Sequence, residues 1–159
     1  MSFRLFRIDE RLIHGQVLVG WGNRLGLDYY VIVDELLAVS DWEQEIWASA
    51  LGGATAAEFL SVVETVRRFS ELDAREGRGA LLTRDPATMR ALAEHGCLDG
   101  RRVNVGGLHD GPGRRKVLDY VHLSPGEFED LKMIARHSTV SARDVPTARE
   151  VALKNLEPR

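Results

Sequence analysis

Asp9, Arg11 and His14 lie close together in the segment 7–17, whose sequence is Arg-Ile-Asp-Glu-Arg-Leu-Ile-His-Gly-Gln-Val. A neutral imidazole nitrogen is a nucleophile near neutral pH, which suits a histidine to accept a phosphoryl group. The planar donors of Arg11 fit phosphoryl oxygens. Asp9 could hold one ring nitrogen of His14 as N–H and leave the other free to attack. Because Gly15 permits close backbone approach, the segment predicts phosphate chemistry at His14.

The elements around His14 place it at a junction between a strand and a helix. An apolar strand pattern over 3–8 ends shortly before it, and a helical pattern begins near Gly15 and ends near Leu25. Backbone N–H groups at such a helix start favour a bound anion, so those near Gly15 and Gln16 are candidate phosphate ligands. The alternative is a histidine in a surface loop, bonded to a backbone carbonyl.

Strand patterns alternate with helical patterns along the rest of the chain. This alternation predicts an α/β fold, a single doubly wound domain over 1–159. We expect a mostly parallel sheet of six or seven strands with helices on both faces. In such sheets ligands bind beyond the carboxyl ends of the strands, where the strand order reverses. The predicted strands are 3–8, 29–33, 58–60, 80–83, 102–105, 117–123 and 138–141.

The predicted helices carry start and stop signals. Helix starts are indicated by capping boxes, by proline at the first helical position, or by both. The sets are Ser40 with Glu43, Ser61 with Glu64, Asp85 with Pro86, and Ser124 with Pro125 and Glu127; Pro146 opens a last predicted helix carrying Ala148, Val151 and Ala152. Glycines at C-terminal positions predict helix ends at Gly26, Gly52 and Gly96.

Composition excludes several function classes. Of 159 residues, 44% are hydrophobic and 28% charged, which is ordinary for a soluble globular protein. The net charge of −3 gives no indication of a nucleic-acid partner. No apolar run approaches the ~20 residues that span a bilayer, and the N-terminus lacks a signal-peptide pattern. With Cys97 as the single cysteine, a cytoplasmic location is the default expectation.

Metal and cofactor patterns are absent from the sequence. His95, His122 and His137 are scattered and lack ligand spacing. Neither G-x-G-x-x-G nor G-x-x-x-x-G-K-[ST] occurs. We therefore expect no metal and no cofactor.

Six further residues are weaker candidates for lining the crevice or binding a partner. Trp21 shares a helix face with Leu18 and Leu25, which favours core packing over a docking role. Asp34 follows the second strand, where it would either start a helix or form a wall of the site. The segment after the fifth strand supplies the others, either as a phosphate-facing loop or as a plain turn: Asn104, Gly106, Gly107 and His109.

The motif 8–17 closely resembles the signature of the IIB component of the mannose/sorbose class of the bacterial sugar phosphotransferase system. The resemblance extends along nearly the whole chain. Later matching segments fall in the family's order and spacing: Val-Asp-Glu at 33–35, Val-Asn-Val-Gly-Gly-Leu-His at 103–109, and Ser-Ala-Arg-Asp-Val-Pro at 141–146.

The resemblance implies a doubly wound α/β sheet and a phosphocarrier role. His14 would take a phosphoryl group from phosphohistidine on a IIA component, on Nδ1. It would pass this group to a sugar held by IIC and IID permease components in the membrane. Arg11 matches the family's arginine near the phosphoryl group, and Asp9 matches its loop carboxylate. The chain shows no feature of its own that selects a sugar.

Three alternatives compete with transport. The first is a regulatory phosphocarrier that uses the same His14 chemistry to signal to another protein. The second is a histidine phosphatase, but that family has arginine directly before the histidine, where this chain has Ile13. The third is a nucleotide-binding module without catalysis, which the missing glycine motifs disfavour.

Overall fold

The computed structural model describes residues 1–53 and 55–159, and its main feature is a seven-stranded sheet. The spatial order of the strands is β3-β2-β4-β1-β5-β8-β9. All pairs are parallel except β8 with β9, which is antiparallel. Within the described ranges the strands, including the hairpin β6-β7, are β1 Phe3–Ile8, β2 Tyr29–Val33, β3 Ala56–Leu60, β4 Gly79–Thr83, β5 Arg102–Val105, β6 Arg115–Leu118, β7 Val121–Leu123, β8 Thr139–Ala142 and β9 Val151–Ala152. The predicted mostly parallel α/β sheet is confirmed.

Helices cover both faces of the sheet, as predicted. Helix α1 has a π-helical part, Gln16–Gly22, followed by an α-helical turn, Asn23–Leu25. The other helices are α2 Asp41–Ser49, α3 Val62–Asp73, α4 Pro86–Glu94 and α5 Pro125–Ile134, with 3₁₀ turns at Leu37–Val39 and Leu153–Asn155. No helix in the described ranges is long and apolar enough to cross a membrane.

Alternating side chains of the strands divide the core into two layers. In β1, Leu5 belongs to the cluster that contains the apolar residues of α1, whereas Phe6 and Ile8 belong to the cluster on the other face, with residues of α3, α4 and α5. The chain leaves β1 toward one face and leaves β4 and β5 toward the other. A crevice therefore opens at the carboxyl end of the central strand β1, between those two neighbours.

Most of the predicted capping residues cap their helices. Ser61 with Glu64 and Ser124 with Glu127 form complete capping boxes, and Asp85 Oδ1 accepts from Thr88 N at 2.7 Å. The predicted stop glycines all have positive φ: Gly26, Gly52 and Gly96.

The capping box predicted at Ser40 is wrong. Ser40 precedes α2, but its side chain makes no capping hydrogen bond. Its ψ is 90°, compared with 166° at Ser61 and 160° at Ser124, because it leaves a 3₁₀ turn rather than a strand. This backbone angle turns the hydroxyl away from the first N–H groups of the helix.

Two predictions in the C-terminal half are also wrong. The apolar run 117–123 is not one strand, because a turn at Asp119 and Tyr120 folds it into the antiparallel hairpin β6-β7. Residues 147–152 form no helix; they turn and continue into β9, which pairs with β8. Val151 is buried in the core there, so pairing to the open edge of the sheet outweighs the proline start signal.

Candidate functional site

Backbone hydrogen bonds fix the loop that follows β1. Asp9 N donates to Thr83 O of β4 at 2.9 Å, and Glu10 N donates to Gly107 O, also at 2.9 Å. From the other side, Gly106 N donates to Ile8 O at 2.7 Å. The loop carrying Asp9, Arg11 and His14 is thus held between the ends of β4 and β5.

His14 is held by Asp9. Its Nε2 lies 3.1 Å from Asp9 Oδ2, and its side chain is 15% exposed. Within residues 1–53 and 55–159, His14 Nδ1 has no hydrogen-bond partner. Asp9 thus anchors His14 through Nε2 and leaves Nδ1 unengaged.

The Asp9 carboxylate is fully buried and carries its charge among cationic groups. It lies 2.9 Å from Arg7 Nη2 and accepts from Arg11 N at 3.0 Å and Arg11 Nε at 3.3 Å. Burial acts to raise the pKa of Asp9, but the hydrogen bond to His14 and the charge of Arg7 outweigh it. Together they hold the pKa of this carboxyl well below its usual range.

Arg7 is one of the site residues that sequence reasoning missed. Its side chain is fully buried, and burial lowers the pKa of its guanidinium. Besides Asp9, it donates to Asn104 Oδ1, to Arg143 O at 2.9 Å and to Asp144 O at 3.0 Å. An arginine inside a predicted strand of a sheet with helices on both faces was the available signal, because a charge buried there requires a partner.

The glycine loop closes over these charged groups. A Cβ on Gly106 would lie 2.4 Å from Arg7 Cζ and 2.6 Å from Asp9 Oδ2. A Cβ on Gly107 would lie 2.9 Å from Arg11 Nη2 and 3.2 Å from Asp9 Oδ1. The glycines are there because the backbone contacts the Arg7–Asp9–Arg11 cluster directly. Asn104, from the same segment, fixes Arg7 rather than facing His14.

Gly106→Ala is therefore expected to lower the free energy of unfolding by about 1–3 kcal/mol, the usual cost of overpacking. Gly15→Ala is the matched control, because a Cβ at Gly15 meets no heavy atom within 4 Å and its φ is −53°. Urea denaturation of the two variants and the wild type provides the measurement. Equal midpoints for Gly106→Ala and the wild type would contradict this account of the loop.

Arg11 is half-exposed and lies at the mouth of the site. Its Nη2 donates to Gln16 Oε1 at 3.0 Å, which ties the guanidinium to the start of α1. Leu12 has a φ of +49°, a strained conformation for a leucine, and its side chain is buried in the α1 layer of the core. This buried anchor sets the direction in which Arg11 and His14 leave the loop. Gly15 is exposed beside them.

A second ionic cluster holds the far side of the glycine loop. Glu10 Oε2 accepts from His109 Nδ1 at 2.9 Å, and Arg114 bridges Glu10 to Glu127, with Arg114 Nη2 lying 2.7 Å from Glu127 Oε2. The His109 side chain is 60% exposed. Glu10, Arg114 and Glu127 were not predicted as site residues, since their pairing joins segments far apart in the chain.

In the described residues, neither Trp21 nor Asp34 makes a hydrogen bond to Asp9, Arg11 or His14. Trp21 is buried in the α1 layer, where its Nε1 donates to Asp144 O at 3.1 Å and its ring packs against Arg7. Asp34 pairs with Arg84 at 3.1 Å and accepts from Leu37 N at 3.0 Å. The structure thus gives both residues structural contacts. Among the described residues, no three His, Cys, Asp or Glu side chains are grouped as metal ligands.

Comparison with known proteins gives consistent matches. Residues 3–157 match the family model described as the PTS system sorbose subfamily IIB component. The N-acetylgalactosamine-specific phosphotransferase enzyme IIB component 1 of Escherichia coli K12 is 32% identical over 144 residues, covering 89% of this chain and 90% of the relative. The crystal structure of that Escherichia coli component superposes with a TM-score of 0.83 over 94% of this chain and 97% of the other.

A more distant solved structure supports the fold alone. The N-acetylgalactosamine IIB component from Streptococcus pyogenes has a TM-score of 0.89 at 17% identity, covering 99% of this chain and 98% of the other. The parallel sheet and the full-length matches together define a phosphotransferase of the sugar phosphotransferase system. The chain belongs to the sorbose subfamily of its IIB components, in the sorbose/mannose class, as the sequence motifs indicated.

Proposed function

We propose that His14 is the phosphoryl carrier of this IIB component. It accepts a phosphoryl group from phosphohistidine on a IIA component and transfers it to a sugar during uptake through IIC and IID permease partners. The chain is then a protein-N(pi)-phosphohistidine–sugar phosphotransferase that acts at the cytoplasmic side of the membrane. The observation that carries the proposal is the bond between His14 Nε2 and the buried Asp9, which leaves Nδ1 for the phosphoryl group.

The transfer is an in-line displacement in which positioning and charge do most of the work. The lone pair of neutral Nδ1 attacks phosphorus while the phosphorus–nitrogen bond of the donor histidine breaks. The donor imidazole leaves as the neutral base. Asp9 keeps its charge throughout and stabilises the N–H at Nε2 when Nδ1 becomes phosphorylated. In the second transfer a sugar hydroxyl oxygen attacks phosphorus, its proton passes to solvent or a permease base, and Nδ1 regains its lone pair.

Arg11 and the backbone near Gly15 and Gln16 form the phosphoryl-binding side of the proposed site. Arg11 is positioned by Asp9 and Gln16, so little ordering is required when the anion arrives. The N–H groups of Gln16 and Val17 follow His14 directly and precede the backbone bond from Leu18 N to His14 O, at 2.9 Å, with which the ladder of α1 begins. A shallow arrangement of this kind suits a group that must be handed to a second protein.

The test of the proposal is phosphorylation by a purified relay that ends in a phosphorylated IIA component. We expect one phosphoryl group per chain on His14, with nitrogen-15 NMR locating it on Nδ1. Label at any other residue, or on Nε2 of His14, would contradict the proposal.

Arg11→Ala is expected to slow phosphoryl uptake by a factor on the order of 100, the usual effect of removing one preorganised charge-stabilising donor. The fold should be retained, since Asp9 keeps Arg7 and the Arg11 backbone N–H as partners. Single-turnover transfer from phosphorylated IIA measures the rate. Arg115→Ala, at an exposed arginine of β6, is the control and should transfer at the wild-type rate. An unchanged rate in Arg11→Ala would remove Arg11 from the mechanism.

A further inference from the structure

The charges of this chain are distributed very unevenly. Between Arg24 and Arg67 there is no Lys, Arg or His, and there are eight of the 24 Asp and Glu residues. The rest of the chain carries all 21 Lys and Arg against the other 16 acidic residues. The net charge of −3 therefore conceals one strongly acidic segment, which comprises β2, α2, β3 and the start of α3.

The acidic segment also carries most of the exposed large apolar side chains. Four of them follow β2 at intervals of three or four residues, with side chains 58–83% exposed: Leu36, Val39, Trp42 and Ile46. We call these four residues the α2 patch. Val63, which is 76% exposed, lies close by because Val62 N donates to Glu35 Oε1 at 2.8 Å. An isolated exposed apolar residue is ordinary, but such a group indicates an interaction surface.

Helix α2 contributes little to the core. None of its residues is buried, and Trp47 is its contact with the α1 layer. Stability of the fold therefore does not explain why Trp42 and Ile46 stand on its outer side. The helix presents Trp42, of a residue type enriched among those that dominate binding energy in protein interfaces, next to the exposed Ile46.

The acidic residues around the patch have no counter-charge of their own. In the described parts of the chain, no salt bridge involves the patch's neighbours Glu35, Asp41, Glu43 and Glu45. Asp34 and Glu58, by contrast, are each paired with arginines from other elements. The α2 patch thus has an apolar centre and an uncompensated acidic rim, which complements a partner with an apolar centre and a basic rim.

The position of the patch relates it to the proposed chemistry. It begins at the carboxyl end of β2, and His14 follows the carboxyl end of β1 at the same edge of the sheet. Only β4 lies between them, so the two strand ends are two strand spacings apart, roughly 10 Å. A partner bound to the α2 patch would leave His14 accessible at the side of the interface.

We propose that the α2 patch docks the basic cytoplasmic loops of the membrane permease that receives the phosphoryl group. This inference rests on the proposed function. Cytoplasmic loops of membrane proteins carry an excess of Lys and Arg, which is the charge that the acidic rim requires. A second copy of this chain fits poorly, because a twofold contact would bring two acidic rims together.

The experiment uses the whole protein and membrane vesicles that contain a IIC/IID permease of this class, with permease-free vesicles as the blank. Three proteins are compared: the wild type, the double variant Trp42→Ala with Ile46→Ala, and the charge reversal Glu43→Lys with Glu45→Lys. Glu76→Lys is the matched control, since Glu76 is an exposed acid just before β4, at the opposite edge of the sheet. Co-sedimentation gives the affinity, and phosphoryl uptake from IIA is measured separately.

We expect both patch variants to bind permease vesicles at least about tenfold more weakly than the wild type, while Glu76→Lys binds normally. Added salt should weaken wild-type binding and have less effect on the charge-reversal variant. Uptake of phosphate from IIA should stay at the wild-type rate in all variants. Failure of wild-type labelling at His14 would defeat the proposed function, whereas co-sedimentation tests docking independently of it.

Three results would overturn the proposal. Unchanged binding by both patch variants would show that the patch does not contact the permease. A parallel loss of phosphoryl uptake from IIA would assign the patch to the IIA component instead. A wild-type dimer that the double variant converts to a monomer would assign it to self-association.

Discussion

A His14→Ala variant is expected to take up no phosphate from a phosphorylated IIA component, a loss of all measurable transfer rather than a slowing. The acceptor nitrogen is gone, and no other histidine in the described structure is bonded to a fully buried carboxylate. The imidazole of His14 bonds a buried carboxylate through one nitrogen, whereas His109 is largely exposed and bonds Glu10 through Nδ1. Radiolabel transfer followed by gel separation is the measurement.

The control for this experiment is His109→Ala. It removes a histidine from the same edge of the sheet and leaves Asp9 and His14 in place. We expect full labelling in that variant and a native circular dichroism spectrum in both. Acid-labile, base-stable label that persists in His14→Ala would exclude His14 as the carrier.

Asp9→Asn is expected to cause the largest loss of stability, about 3–5 kcal/mol in the free energy of unfolding. The substitution keeps the shape of the side chain but removes the charge that compensates Arg7, and a buried ion without its partner is costly. It also removes the carboxylate that holds His14 Nε2. Phosphoryl uptake should therefore fall even in the fraction of the protein that remains folded.

Asp34→Asn is the matched control for that variant. Asp34 and Arg84 lie 3.1 Å apart, but Arg84 is 41% exposed, and an asparagine can still cap the 3₁₀ turn after β2. Its expected loss is below about 1 kcal/mol. Urea denaturation measures both variants, and equal losses would contradict the assignment of a buried, mutually dependent pair to Arg7 and Asp9.

The free energy of unfolding at acid pH should provide a second difference between Asp9→Asn and the wild type. The pKa of Asp9 is lowered in the folded protein, so its carboxylate contributes stability that is present above its ordinary pKa of 3.8. That contribution disappears as the pH falls from 3.8 toward the lower folded-state pKa. The Asp9→Asn variant should show a shallower decline of stability over this acid range, and identical slopes would count against the lowered pKa.

The sequence was sufficient to predict the mostly parallel sheet and most of the helix starts, because periodicity and helix caps are local signals. Ser61, Asp85 and Ser124 each cap a helix using atoms only three residues away. The prediction of a helix after Pro146 failed because the structure of this segment depends on strand β8, whose edge was free to pair. A local start signal cannot show which strand the chain will meet.

The difference between local signals and contacts with distant segments also explains which site residues could be predicted. Asp9, Arg11 and His14 were identifiable because they share one short loop and bond one another across it. Arg7 was overlooked because its remaining partners, Asn104 and the carbonyls of Arg143 and Asp144, lie about a hundred residues or more along the chain. From the sequence alone, Arg7 looks like an ordinary strand residue, because its partners are recognised only in the folded structure.

The hydrogen bonds of Arg7 to residues late in the chain have a consequence for folding during synthesis. The loop with His14 leaves the ribosome early, but two acceptors of the Arg7 guanidinium lie 136 and 137 residues later in the chain. A nascent chain that lacks them holds an arginine with fewer acceptors, and its charge is compensated by Asp9 alone. We therefore expect the full support of Asp9 by Arg7, and with it the competence to carry a phosphoryl group, only near the end of translation.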